Sequence, residues 1–195
     1  RGASLSGILR LGVSETIVHS WLPRFFRELH ETAPNLDVEI TVDVSGNLRS
    51  GLLDRSLDLA FLMGPVSEPK IENRALCSFP LIWVASPELN LPDRLLALKD
   101  LAEWPIITYA RNTKPFAEIS QKFSELDELP ARFYSSSSLA ACRQLTLDGI
   151  GISTLPLSVI KHELESGRLV QLNTSWTPSE LAFTASYSGA PFNAI

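Results

Sequence analysis

Between Ile8 and Met63 the apolar residues change their repeat four times, and that alternation restricts the fold of this chain more than any other feature. Ile8 to Val13 is a nearly continuous apolar run carrying one arginine, as expected of a strand covered on both faces. Ile17, Val18, Trp21, Leu22, Phe25, Phe26 and Leu29 then recur at spacings of three and four, which is one stripe of a helix. Pro23 falls inside the stripe, so it either bends the helix or stands as the first residue of the regular part. Leu36, Val38, Ile40, Val42 and Val44 alternate as a second strand. Gly46 and Asn47 lead into a short helix over Leu48, Leu52 and Leu53, and Asp58 to Met63 is a third buried strand. Strand, helix, strand, helix, strand in so short a span predicts a parallel sheet with right-handed crossovers.

Ile71 to Cys77 and Leu81 to Ala85 follow with no helix between them and read as connecting or antiparallel strands. After Pro87 the alternation starts again. It gives helices over Leu95 to Leu101, Phe116 to Leu126, Leu139 to Leu147 and Pro156 to Glu165. Its strands are Ile106 to Tyr109, Arg132 to Tyr134, Ile150 to Ser153, Leu169 to Leu172 and Leu181 to Tyr187. The expected fold is therefore α/β, with two Rossmann-like lobes, residues 1–80 plus 185–195 and residues 81–184. The extended segments Leu81 to Ala85 and Leu181 to Ser186 join them, and two chain crossings make a hinge.

Charge and composition remove several classes of function. The net charge is −5 and the Lys and Arg residues are scattered, so this chain by itself lacks the clustered basic face that neutralises phosphates. Its apolar runs fall far short of the roughly 20 residues that cross a bilayer, so no membrane partner is expected. Arg1 to Gly7 reads as a small-residue linker, the mark of a fragment cut from something larger. Cys77 and Cys142 make neither a disulfide framework nor a metal pair, which favours a cytoplasmic location. No nucleophile elbow, phosphate loop, dinucleotide fingerprint or zinc motif occurs, and His19, His30 and His162 lie far apart in sequence. Cys142 beside Arg143 reads either as an activated thiol or as a small buried hydrophobe. No enzyme activity, cofactor or metal is expected.

Small polar residues gather at three predicted strand ends: Ser14, Glu15 and Thr16; Ser45, Gly46 and Asn47; and Ser135 to Ser138. Ligands of open parallel sheets sit outside the carboxyl ends of the strands, where N–H groups of the next helix point outward. The same residues are also ordinary helix caps. An anion suits helix N-termini, but Glu15 would repel one and would favour a ligand with an amine or other donors. Arg111, just beyond Tyr109, is a partner either for Glu15 or for a ligand carboxylate.

Together these segments resemble the effector-binding (regulatory) domain of LysR-type transcriptional regulators. The likeness is carried, in the family's order, by "GILRLGVSE" through "LPRFFRELHETAPNLDVEI", "LDRSLDLAFL", "PLIWVASPELNL", "LKDLAEWPIITY", "DGIGISTLP" and "ESGRLVQL". The resemblance implies a periplasmic-binding-protein type II fold with a small-molecule inducer in the cleft between the lobes. It also implies a winged helix-turn-helix outside this chain through which DNA is bound, and a homodimer or homotetramer. By position, the effector-binding residues it implies are Ser14, Glu15, Thr16, Ser45, Gly46 and Asn47 from one lobe. Tyr109, Arg111, Ser136, Ser137 and Thr154 come from the other. Asp58 reads as structural, fixing a helix-to-strand turn. Glu15 stands where the family has a neutral residue, the cysteines do not match those of the peroxide-sensing subfamily, and "SGAPFNAI" stops short of the family's closing helix. The helix from Thr16 to Glu31 is a candidate dimer surface, unless its stripe packs wholly on its own sheet. The alternative function is a periplasmic solute-binding protein of a transporter.

Overall fold

A computed structural model describes residues 5–126 and 130–189. The expectations for most of the linker at Arg1 to Gly7 and for the tail beyond Gly189 lie outside these residues. The elements run β1 (Ser6–Val13), α1 (Glu15–Val18), α2 (Leu22–Thr32), β2 (Asn35–Val42), α3 (Ser45–Leu53), β3 (Leu59–Met63), β4 (Ile71–Phe79) and β5 (Leu81–Ala85). They continue with α4 (Leu98–Leu101), β6 (Ile106–Tyr109), α5 (Lys114–Phe123), β7 (Phe133–Ser136), α6 (Leu139–Leu147), β8 (Ile152–Pro156), α7 (Leu157–Glu165), β9 (Val170–Gln171) and β10 (Leu181–Ser188). The chain divides into two compact units, residues 1–78 with 182–195 and residues 79–181. The sequence suggests joins at 80/81 and 184/185.

The first unit is built on a sheet ordered β2-β1-β3-β10-β4. β1 runs parallel to β2 and to β3, as the alternating periods require, and β10 is antiparallel to β3. α3 covers this sheet through Leu48 and Leu52, which cluster with Leu57, Ala60, Leu62, Val66 and Ile71. The expected helix after β1 is in fact two, α1 and α2. Pro23 is the second residue of α2 rather than its first, a position where a missing N–H costs nothing. Of α2 only Leu22 is buried, while Ile8, Ile40 and Val42 on β1 and β2 are 60%, 49% and 50% exposed.

Asp58 closes the turn into β3, as its sequence position suggests. Its carboxylate accepts the backbone N–H of Arg10 at 2.8 Å and the Arg10 guanidinium at 2.8 and 3.2 Å. Hydrogen bonding from Arg10 holds the Asp58 carboxyl below the usual carboxylate range, against the opposing pull of burial.

The second unit carries a sheet ordered β7-β6-β8-β5-β9. β6 is parallel to β7 and β8, whereas β5 is antiparallel to β8 and β9. Both faces are covered. Trp83, Ala85, Leu96, Leu101, Ile106, Ile119, Phe123 and Ile152 form one core, and Val84, Ile107, Leu139, Cys142, Leu155 and Ile160 the other. Leu81 to Ala85 and Leu181 to Ser186, expected near the joins, are thus full members of the two sheets. β7 and β8 each sit further along the chain than the sequence suggests, and Gly149 ends α6 at a φ of 70°.

Glu163 of α7 is 3% exposed and ion-paired to Arg143 and, at 3.3 Å, to Arg168. Burial is the largest single influence on this carboxyl and would raise its pKa. The hydrogen bond and charge of Arg143, with Arg168, outweigh burial and hold the pKa below the ordinary range. No helix among the described residues is long and apolar enough to cross a membrane. Among the described residues no cluster of His, Cys, Asp and Glu is placed to hold a metal.

Candidate functional site

In the first unit the ends of β1 and β3 and the start of α3 are laced together by two serines. The Ser14 N–H donates to the Phe61 carbonyl at 2.9 Å, and the Ser14 and Ser45 hydroxyls lie 3.3 Å apart. Ser45 Oγ in turn accepts the Met63 N–H at 2.9 Å. The capping alternative fails here. Ser14 flanks α1 without a side-chain capping bond, the residue flanking α3 is Val44, and Ser45 lies inside that helix. Thr16 is buried and Gly46 is exposed. Glu15 Oε1 lies 3.2 Å from His19 Nε2 within the same turn. The Asn47 amide donates to Asp43 at 2.9 Å, which ties it into its own turn. The structure therefore brings Ser14 and Ser45 together, with Glu15, Thr16 and Gly46 beside them in sequence.

In the second unit Tyr109 and Ser136 are register partners at the carboxyl ends of β6 and β7. The Tyr109 hydroxyl is buried without a partner among the described residues. Burial first, and the neighbouring Cys142 second, raise its pKa above the ordinary tyrosine value, so it stays protonated. Arg111, expected as a partner for a carboxylate, lies 5.2 Å from the centre of the Phe116 ring, a cation–π contact within its own unit. Ser136 Oγ accepts the Ser138 N–H at 3.1 Å, and Ser138 caps α6 by accepting from Ala141 at 3.2 Å. Ser137 is exposed. In the serine run, then, the capping reading holds for Ser138.

Thr154 lies in the middle of β8 opposite Trp83, and its hydroxyl is buried without a partner among the described residues. Thr108 of β6 shares that condition and is absent from the sequence-based set. A signal for it did exist, since "IITY" places a polar residue inside a strand that is otherwise apolar. A cavity of about 360 Å³ in this unit is lined by Ile82, Trp83, Leu172, Asn173 and Thr177, among others, and by none of the predicted site residues.

Among curated relatives, the transcriptional regulator PtxR of Pseudomonas aeruginosa is 28% identical over 191 residues, covering 96% of this chain and 60% of that protein. The regulator CzcR of Bacillus cereus is 24% identical over 164 residues, covering 84% of this chain and 54% of that protein. The chain thus spans about half the length of the curated relatives it matches. The regulatory domain of CcmR from Synechocystis PCC6803, solved in complex with 2-PG, superposes with a TM-score of 0.80 at 19% identity, over 97% of this chain and 91% of that one. The BenM effector binding domain, solved with its effector benzoate, gives a TM-score of 0.71 at 20% identity, over 96% of this chain and 86% of that one. At such identities these structures establish the fold, which is of the periplasmic-binding-protein type II. Residues 2–189 match the LysR substrate binding domain, and the chain belongs to that family.

Proposed function

We propose that this chain is the effector-sensing part of a LysR-type transcriptional regulator, which holds a small molecule with the turns at its strand ends. The whole protein reaches DNA through a domain outside the chain and works as a dimer or tetramer in the cytoplasm. The observation that carries the reading is the Ser14–Ser45 hydroxyl pair, set at the carboxyl ends of parallel strands where α/β folds bind ligands. Because Ser45 Oγ already accepts from Met63, its own proton is available to Ser14 or to a guest. Sensing then requires the guest to bind one conformation more tightly than another.

A thermal-shift screen over aromatic acids, amino acids, sugar acids and sulfur metabolites tests the reading. An effector at about 100 times its Kd adds about 2.7 kcal/mol of stability, a rise of roughly 5 to 10 °C for a chain of this size. Ser14→Ala is expected to weaken binding of a hit by about five- to tenfold, the worth of one hydrogen bond. An undiminished shift would put the guest elsewhere.

Self-association is expected through the first unit, where Ile40 and Val42, alternate residues of β2, are exposed on one face of the sheet. Ile40→Glu is expected to convert a dimer into a monomer in size-exclusion chromatography with light scattering. A parent chain that stays monomeric at high concentration removes this face from consideration.

A further inference from the structure

Thr108 and Thr154 are each 2% exposed, and neither hydroxyl finds a partner among the described residues. β6 and β8 run parallel with Ile106 beside Ile152 and Ile107 beside Ser153. One more step along both strands sets Thr108 next to Thr154. Side chains alternate along a strand, so both threonines share the face of Ile106 and Ile152. That face packs against Trp83, Ala85, Ile119 and Phe123.

The opposite face handles its hydroxyls differently. There Ser153 lies 2.9 Å from Thr146, and Thr146 donates to the Cys142 carbonyl at 2.7 Å. Two neighbouring buried hydroxyls without partners therefore stand out against a satisfied pair one residue away, and such groups carry a standing cost unless something outside the protein pairs them.

We propose that Thr108 and Thr154 form a paired contact for one uncharged hydrogen-bonding group of the bound small molecule, such as a hydroxyl, amide or carbonyl. Thr108 is then a specificity residue for that group. The inference rests on the effector-sensing reading and adds to it the chemistry of one group that the second unit recognises. Two hydroxyls can each donate and accept, which suits a group that does both. The side chains clustered on this face are apolar, so an ionised group would be desolvated among them. Access is from the carboxyl ends of the strands, since Thr108 is one residue from the end of β6 and Thr154 two from the end of β8.

The test uses the whole chain with its threonine methyl groups isotopically labelled, titrated in NMR with acetamide and separately with acetate. Acetamide is expected to move the Thr108 and Thr154 methyl signals at concentrations where acetate leaves them in place. Thr108→Val and Thr154→Val keep the shape and remove the hydroxyl. Each is expected to melt at the parent temperature or higher, and each to abolish the acetamide shift at the threonine that remains. Equal shifts with acetate, no shift with acetamide, or a Tm loss beyond about 4 °C in either valine variant overturns the pair as a recognition site. A chain that answers no effector in the thermal screen yet still shows the acetamide shifts would lose the sensing reading and keep the pair. The reverse outcome would keep the reading and lose the pair.

Discussion

Trp83→Ala is expected to cost about 4 kcal/mol of stability, the usual range for emptying a fully buried indole site, or roughly 8 to 16 °C in Tm. Trp83 is 1% exposed and sits edge-on to Phe123 with their ring centroids 6.0 Å apart. Its indole N–H donates at 3.0 Å to the carbonyl of Trp176. Removing the ring leaves a void between β5, α5 and the segment after β9, and takes away one of the two hydrogen bonds that carbonyl accepts, the other coming from the Thr174 hydroxyl at 3.0 Å. Trp83→Phe, which retains most of the volume, separates the two effects and should lose only about 1 to 2 kcal/mol. Denaturant unfolding followed by circular dichroism measures both. If the two units melt in separate steps, the loss belongs to the second unit's transition. A loss below about 1 kcal/mol for the alanine variant would mean that the core closes over the gap.

Gly151→Ala should be comparably severe for a different reason. A Cβ at Gly151 would stand 2.2 Å from the Pro105 carbonyl oxygen and 3.1 Å from Pro105 Cβ. The same carbonyl accepts the Ile152 N–H at 2.9 Å, the bond that starts the pairing of β8 with β6. One methyl group therefore has to push two central strands apart at their first rung. Overpacking of this kind costs about 3 kcal/mol or more when the obstacle is backbone. Gly46→Ala is the control, because a Cβ there meets nothing within 4 Å. It is expected to be neutral, or stabilising by up to about 1 kcal/mol through helix propensity. Equal melting temperatures for Gly151→Ala and the parent would refute the close approach.

The alternation of repeats was enough to read the α/β class, because strand and helix periods are local properties of neighbouring residues. The split of the first helix was less visible. Ser20 turns its hydroxyl back onto the carbonyls of Thr16 and Ile17, and the chain leaves the helix there although the apolar stripe continues. The interior place of β5 was hidden for another reason. Leu81 to Ala85 has no helix before it and looks like a connector, yet its partners Ser153 to Pro156 lie about 70 residues further on. Nothing local announces a pairing at that separation.

The candidate site divides along the same line. Ser14 and Ser45 were legible because both follow apolar strands. The run Ser135 to Ser138 was not resolvable, since identical residues conceal that the first two are strand and the last is a cap. The sequence offers Arg111 as a partner for Glu15 or for a ligand carboxylate. Its stacking on Phe116 depends on an i+5 neighbour whose ring direction no repeat encodes. A threonine in a β-strand is ordinary, and only the absence of a partner among the described residues makes Thr108 notable.

The position of β10 between β3 and β4 sets the order in which this protein is completed on the ribosome. Residues 79–181 form one uninterrupted stretch and can close as soon as they emerge. The earlier sheet must wait with a gap in its middle until the last described strand is released. A nascent chain halted near residue 175 should therefore hold an unfinished, protease-sensitive front half.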